Sequence, residues 1–231
     1  MIKAILIDAM FTIWEPIHKD RYYLYRNFIQ EALGRRVSIS LLREVYQRKR
    51  NEFYPNDYPS YTKRWMTINY HVLESLFPDL KEEKILEMAR DLTSLILSPK
   101  PFRVKRDTRI FLKQAKERGL KVIIASNNSG GRLRALLENF SLNKLIDSAY
   151  ASSDIGLEKP DVDFFKHILK KESLKPEDCV MIGDNLDHDV KAPKSMGITG
   201  VLYNPNREHK DYAGYTVSKL TDVWQLDPFK S

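Results

Sequence analysis

Short, unbroken apolar runs recur along the chain, and each stops abruptly on polar side chains. Ala4-Ile5-Leu6-Ile7 stops at Asp8, Val122 to Ala125 stops at Ser126-Asn127, and Val180-Met181-Ile182 stops at Gly183-Asp184. Another apolar run lies between Ile198 and Tyr203. Runs of this length bounded by turn residues predict strands buried on both faces, as in a parallel sheet. Helical stripes lie between them. One is expected from Asp107 to Gly119 and one from Arg132 to Phe140 after the Gly130-Gly131 pair. Another, begun by Pro160-Asp161, carries Phe164, Phe165, Ile168 and Leu169. Strands alternating with helices predict an α/β fold with a doubly wound parallel sheet. A short return is expected around Tyr215 to Val217.

Between Glu15 and Pro99 the alternation gives way to helices alone. Tyr22, Tyr25, Phe28, Ile29 and Leu33 form one stripe, ended by Gly34. Ser38 or Ser40 is positioned to cap a second, with Leu41, Leu42, Val45 and Phe53. Ser60 is positioned to cap a third through Trp65, Ile68, Val72, Leu73 and Leu76. A fourth runs from about Lys81 to Leu97 through Ile85, Met88, Leu92 and Leu95, and Ser98-Pro99-Lys100-Pro101 reads as a linker. The expected division is residues 1–15 and 99–231 as a core domain, with 16–98 inserted as a helical domain.

The composition of 231 residues, 42% hydrophobic and 30% charged, suits a globular chain with enough apolar mass for a core. No run approaches the roughly 18–20 apolar residues of a membrane span. The start of the chain has no signal-peptide layout, and the single cysteine, Cys179, opens an apolar strand and reads as a core filler. These features give the expectation of a cytoplasmic protein without a membrane partner. The net charge of +7 raises the question of nucleic acid. The densest basic clusters, Arg35-Arg36 and Arg48-Lys49-Arg50, are interleaved with Glu44 and Glu52, and no nucleic-acid module is visible. They read as a solvated helix face or as steering for a small anionic substrate. The aromatic segment from Phe53 to Tyr61 reads as packing for the helices or as a substrate-facing wall. The five histidines show no metal-ligand spacing.

Candidate chemistry sits where the apolar runs end. A carboxylate at the C-terminal end of a buried strand, such as Asp8, lies where open α/β sheets bind ligands, although an Asp there can also cap a turn. Ser126 and Asn127 at a strand-to-helix turn suit an anionic oxygen or an ordinary helix cap. Lys159, in the loop before Pro160, is either solvated or a counter-charge to carboxylates. Asp184, Asp187 and Asp189 follow Gly183 closely, and so much negative charge at a strand end is costly without a cation. Oxygen ligands of this kind suit Mg²⁺. Helix-dipole preference alone explains Asp187 and Asp189 better than it explains Asp184.

In this order, Asp8 with Thr12, Ser126, Lys159 before Pro160, and Gly183-Asp184 through Asp189 resemble the haloacid dehalogenase superfamily of hydrolases. The resemblance implies a Rossmann-like core with an α-helical cap inserted after the first motif. It implies Asp8 as the nucleophile, forming a covalent aspartyl intermediate. It implies Mg²⁺ held by Asp8, the Met10 carbonyl and Asp184. Ser126 and the Asn127 amide would hold the transferring group. Lys159 would keep Asp8 ionised, with Thr12, Asn185 and Asp189 in support, Asp189 orienting Lys159 or a water on the ion. The implied substrate is a small phosphorylated metabolite.

Two positions depart from that pattern. The phosphatases carry a second Asp two residues after the nucleophile, and here Met10 occupies its place. A thioether neither donates nor accepts the proton. General acid–base catalysis is worth on the order of 10² to 10⁴ in rate, so alkyl phosphates are expected to react slowly. The Gly usual before Thr12 is Phe11. The pattern also resembles, through Asp8-Ala9 and Ser126-Asn127, the 2-haloacid dehalogenases, whose halide leaves without an acid, and it is most similar to a subgroup of haloacid dehalogenase-like hydrolases that lack the second Asp of the first motif. A catalytically weak binding protein on the same fold is the third alternative.

Overall fold

A computed structural model describes residues 1–17, 22–53 and 61–230. The chain opens with β1 (Ala4–Ile7) and β2 (Trp14–Pro16), then runs through four helices, α1 (Tyr22–Leu33), α2 (Ile39–Phe53), α3 (Tyr61–Leu76) and α4 (Glu82–Leu97). It returns through β3 (Phe102–Val104), α5 (Thr108–Glu117), β4 (Lys121–Ser126), α6 (Gly130–Asn139), β5 (Ser148–Ala151) and the four-residue α7 (Ser152–Ile155). It finishes with α8 (Val162–Glu172), β6 (Cys179–Gly183), a π-helical turn (Leu186–Lys191), the short α9 (Ala192–Lys194), β7 (Thr199–Tyr203) and β8 (Thr216–Val217). Two compact units result: Met1–Glu15 with Arg103–Ser231, and Pro16–Phe102.

The first unit is built on a six-stranded sheet in the order β5-β4-β1-β6-β7-β8, every neighbouring pair parallel. The chain lays β4 and β5 outward on one side of β1, then crosses to build β6, β7 and β8 on the other. The order therefore reverses between β1 and β6, where such sheets open a ligand crevice at their carboxyl ends. Every residue of β1 and β6 is buried. Leu6, Ile123, Ala125 and Met181 pack with Phe164, Phe165 and Ile168 of α8 on one face. The alternating Ile5, Ile7, Val122, Ile124 and Ile182 are fully buried too, so both faces are covered, and that is why these strands read as continuous apolar runs.

The helical unit has its own core, including Tyr25, Ile29, Leu42, Tyr46, Ile68, Leu73, Met88 and Leu92. Gly34 ends α1 with φ of 67°, a left-handed cap conformation that costs glycine nothing. Of the two candidate caps for α2, Ser38 does the work: its Oγ accepts from the Leu41 N–H at 3.2 Å. The expected Ser60 cap, His18 and most of the aromatic segment after Phe53 lie outside the described residues. Inside this core runs a polar chain. The Tyr25 hydroxyl donates to Asn69 Oδ1 at 2.5 Å, Asn69 Nδ2 donates to Thr93 Oγ1 at 2.8 Å, and Thr93 Oγ1 donates to the Ala89 carbonyl at 2.6 Å.

The structure adds elements that the hydrophobic pattern hides. β5 is an edge strand of four residues with mixed exposure, and β2 and β3, three residues each, pair only with one another. The helix expected to start at Arg132 begins at Gly130, so both glycines sit in its first turn. A Cβ at Gly130 would collide with the Asp154 carboxylate, so the close packing of α7 requires the bare backbone.

The polar chain gives a stability prediction. Asn69→Ala removes the hydrogen bonds to Tyr25 and Thr93 from this buried chain and is expected to cost about 1–3 kcal/mol in urea unfolding. A change within error of wild type would mean the chain contributes nothing.

Candidate active site

The parallel register decides what meets at the carboxyl end of the sheet. Ile7 lies beside Ile124 of β4 and Ile182 of β6, so the residues just past these strands emerge on one rim. Asp8 is anchored there by its own N–H, which donates to the Ile182 carbonyl at 2.9 Å. One step further, β4 delivers Ser126, 2% exposed, and β6 delivers Asp184.

After Asp8 the chain doubles back in a tight loop. Phe11 N–H donates to the Trp14 carbonyl at 2.7 Å, and the Ile13 and Trp14 N–H groups both reach the Ala9 carbonyl. These bonds fall on the carbonyls of Ala9 and Trp14 and leave that of Met10 outside them. Phe11 holds φ of 61°, a left-handed conformation costing a non-glycine residue about 1–2 kcal/mol. That backbone explains why glycine would suit the position. Its side chain is 42% exposed and so is turned to solvent. Thr12 is fully buried, and its hydroxyl donates to Asp184 Oδ1 at 3.1 Å, fixing that carboxylate against the loop.

Lys159 is only 3% exposed and is not a solvated loop lysine. Its Nζ donates to Asp8 Oδ1 at 2.7 Å and to Asp189 Oδ1 at 2.6 Å. Asp189 is in turn held at its other oxygen, Oδ2, by the Asn185 N–H at 3.0 Å. The π-helical turn is capped by the Asn185 side chain, which accepts from the N–H groups of Asp187 and His188. This wider turn carries Asp189 back beneath the end of β6. A Cβ at Gly183 would overlap the Asp189 carboxylate, so the Gly of the Gly-Asp pair is a matter of space. Asp187 points outward and pairs with Lys191 at 2.8 Å, as the helix-terminus reading expected, whereas Asp189 is part of the buried cluster.

The Asn127 side chain makes a contact that sequence spacing does not show. Its side-chain Nδ2 donates to the Lys159 carbonyl at 2.7 Å, and its Oδ1 accepts the Lys159 N–H at 2.8 Å. The side-chain amide is thus committed to the Lys159 main chain, leaving the main-chain N–H as the Asn127 amide for a ligand.

Carboxylate oxygens of Asp8, Asp184 and Asp189 lie within 4.8 Å of one another. Three carboxylates face one buried ammonium, leaving two negative charges uncompensated. Burial pushes Asp8 up to about 7. Lys159 pulls it down, but Asp189 and Asp184 push it up again. Burial and Asp189 likewise push Asp184 up to about 6. Burial alone would lower Lys159, but Asp189 and Asp8 outweigh it and hold the ammonium above its ordinary range. Lys159 therefore works toward the ionised form of Asp8, while burial and the neighbouring carboxylates work against it. The donor set fits a hard divalent cation. Both Asp189 oxygens are engaged by Lys159 and Asn185, which leaves Asp8 and Asp184 as the carboxylates that could hold such an ion, and Mg²⁺ would balance the two remaining charges.

A neighbouring group escaped the sequence reading. Lys105 Nζ lies 3.3 Å from the Tyr203 hydroxyl, 3.6 Å from Glu15 Oε2 and 4.5 Å from the Tyr203 ring centroid. Burial pulls its pKa down while Glu15 and Asp184 push it up. Tyr203 ends β7 one register step beyond the partner of Gly183, at the same end of the sheet.

Comparison with known proteins agrees with this fold. A family profile described as haloacid dehalogenase-like hydrolase matches residues 2–197. The chain is 29% identical over 132 residues to a glyceraldehyde 3-phosphate phosphatase of Methanocaldococcus jannaschii, covering 55% of this chain and 56% of that protein. It spans a little over half the length of the first curated relatives it matches. A HAD phosphatase from Thermococcus onnurineus superposes with a TM-score of 0.68 at 24% identity, covering 97% of each chain. A 2-haloacid dehalogenase from Pseudomonas syringae does so with a TM-score of 0.70 at 17% identity, again over 97% of each. At these identities the two structures speak to fold alone. Among the described residues no helix is long and apolar enough to cross a membrane.

Two predictions follow from the charge balance and the packing. Carboxylates raised by burial are fully accommodated below their unfolded pKa of about 4, and that stability is lost as pH rises through about 6 to 7. Mg²⁺ relieves this loss, so the rise in Tm on adding Mg²⁺ to chelator-treated protein is expected to be larger at pH 8 than at pH 5. Equal shifts at both would show that the cluster does not hold the ion. Gly183→Ala is expected to cost about 3 kcal/mol, because the new methyl drives Asp189 off Lys159. Wild-type stability in urea would contradict the close approach.

Proposed function

This chain belongs to the haloacid dehalogenase-like hydrolases, and we propose that within that family it is a Mg²⁺-dependent phosphatase of small phosphorylated metabolites with Asp8 as its nucleophile. The observation that carries this reading is the pairing of Asp8 with Lys159 at 2.7 Å inside a cluster that also contains Asp184. The phosphatase names among the curated relatives support the substrate class. The insertion of α1 to α4 is read as the family's cap, and the cytosol as the place of action.

In this reading Lys159 holds Asp8 in place and a carboxylate oxygen of Asp8 attacks phosphorus. The new Asp8 O–P bond forms as the bond to the leaving group breaks, giving an aspartyl phosphate. The Ser126 hydroxyl and the Asn127 main-chain N–H bind the phosphoryl oxygens. Asp189 keeps Lys159 in place, and Thr12 keeps Asp184 in place. Bound Mg²⁺ supplies charge neutralisation at the phosphoryl group. Water then attacks phosphorus and releases phosphate and free Asp8. No side chain at position 10 protonates the leaving group, so it departs as an anion and takes its proton from solvent.

The same absence favours a second reading, hydrolysis of a carbon–halogen bond, in which the halide needs no acid. The two differ in where water attacks. Turnover in ¹⁸O-water places the label in phosphate for the phosphatase and in the Asp8 carboxylate for the dehalogenase.

Asp8→Asn is expected to abolish turnover of p-nitrophenyl phosphate, and undiminished turnover would sink the catalytic assignment. Aryl and acyl phosphates are expected to react faster than alkyl esters. Met10→Asp is expected to raise the alkyl rate by about 10²-fold or more while changing the aryl rate little. Equal rates on both ester classes in the native protein would mean that another group already supplies the proton.

A further inference from the structure

We propose that the Asn127 side chain is the positioning group that sets Lys159, and that this side chain acts on turnover through Lys159 and not through substrate. The inference rests on the reading of Asp8 and Lys159 given above.

The geometry is a two-point clamp. One side-chain amide satisfies both the N–H and the C=O of a single residue, at 2.8 and 2.7 Å. The Lys159 ammonium then meets two separate carboxylates, at 2.7 and 2.6 Å. A lysine side chain has four rotatable carbons, so its head is placed only if its main chain is placed first. The loop around Lys159 belongs to no strand of the sheet. Asn127 is fixed by contrast, since it follows directly on β4, whose last residue Ser126 pairs with Ala151. The clamp therefore transfers the rigidity of a central strand to a loop. Its residue type is specific. Only a planar amide offers a donor and an acceptor side by side at this reach, and Asp offers two acceptors, one of which would face the Lys159 carbonyl. The clamp also lies next to Ser126 in the chain, so the residue that would bind the phosphoryl group and the one that aims the counter-charge leave the sheet from the same strand end.

A double-mutant cycle on the full chain, assayed with p-nitrophenyl phosphate and Mg²⁺, tests this. Asn127→Ala is expected to lower kcat about 10- to 100-fold with KM nearly unchanged. In a Lys159→Ala background it is expected to add no more than about a twofold further loss, because the group it positions is gone. Losses that multiply, or a loss confined to KM, would show that Asn127 acts on substrate directly and would overturn the inference while leaving Asp8 and Lys159 in place. Undiminished turnover in Lys159→Ala would instead remove the reading on which the inference stands, and the inference with it. Hydrogen exchange gives a readout independent of activity. The Lys159 amide is expected to be protected in the native chain and in Asn127→Asp, which keeps the acceptor, and to exchange rapidly in Asn127→Ala. Equal protection in all three would overturn the clamp. Should Asn127→Ala fail to fold, the isosteric Asn127→Asp takes its place in the cycle, with a kcat loss expected from the missing donor and native kcat counting against the inference.

Discussion

A single ammonium in a dry place organises this site. Lys159 is buried with two carboxylates in contact, and taking a charge out of water is tolerated only when its partners are well placed. Every other feature of the rim is a consequence. Asp189 needs space beneath β6, so position 183 is glycine. Asp189 also has to reach back toward the loop, so the chain widens into a π-helical turn capped by Asn185. The loop bearing Lys159 needs a fixed main chain, and Asn127 supplies it. What these arrangements do not settle is the surplus of two negative charges on the carboxylate cluster, and in our proposal that surplus gives the site its affinity for a divalent ion.

The fold serves this by bringing remote segments together cheaply. Strand order reverses between β1 and β6, so the loops after them diverge and leave the strand ends open. The central strands are buried on both faces, and their rigidity is passed to short polar segments that start within one or two residues of the strand end. Asp8, Ser126 and Asp184 need no long loop to reach one another. Lys159 does lie on a loop, and it is the residue with the most elaborate support.

The strand ends were legible in the sequence because burial on both faces forces an uninterrupted apolar run, and its end marks the rim. The same logic located Asp8, Ser126 and Asp184, and the helical stripes were legible from their period. Other features depend on direction, which sequence spacing does not carry. Nothing in the spacing around Asn127 shows its side chain turned onto the Lys159 main chain. Asp187 and Asp189 look alike along the chain, and only the π-helical turn sends one to solvent and the other inward. β5 escaped because an edge strand has no need of a continuous apolar run. Lys105 escaped because nothing in its neighbourhood distinguishes it from an exposed lysine.

The account comes down to whether Asp8, held by Lys159, bonds covalently to the group it transfers. Borohydride reduction of the full chain, quenched during turnover of p-nitrophenyl phosphate with Mg²⁺ and followed by peptide mass spectrometry, reads this directly. The account predicts that Asp8 alone is reduced to homoserine, and only when substrate is present. An unmodified Asp8 in protein that is demonstrably turning over would contradict it.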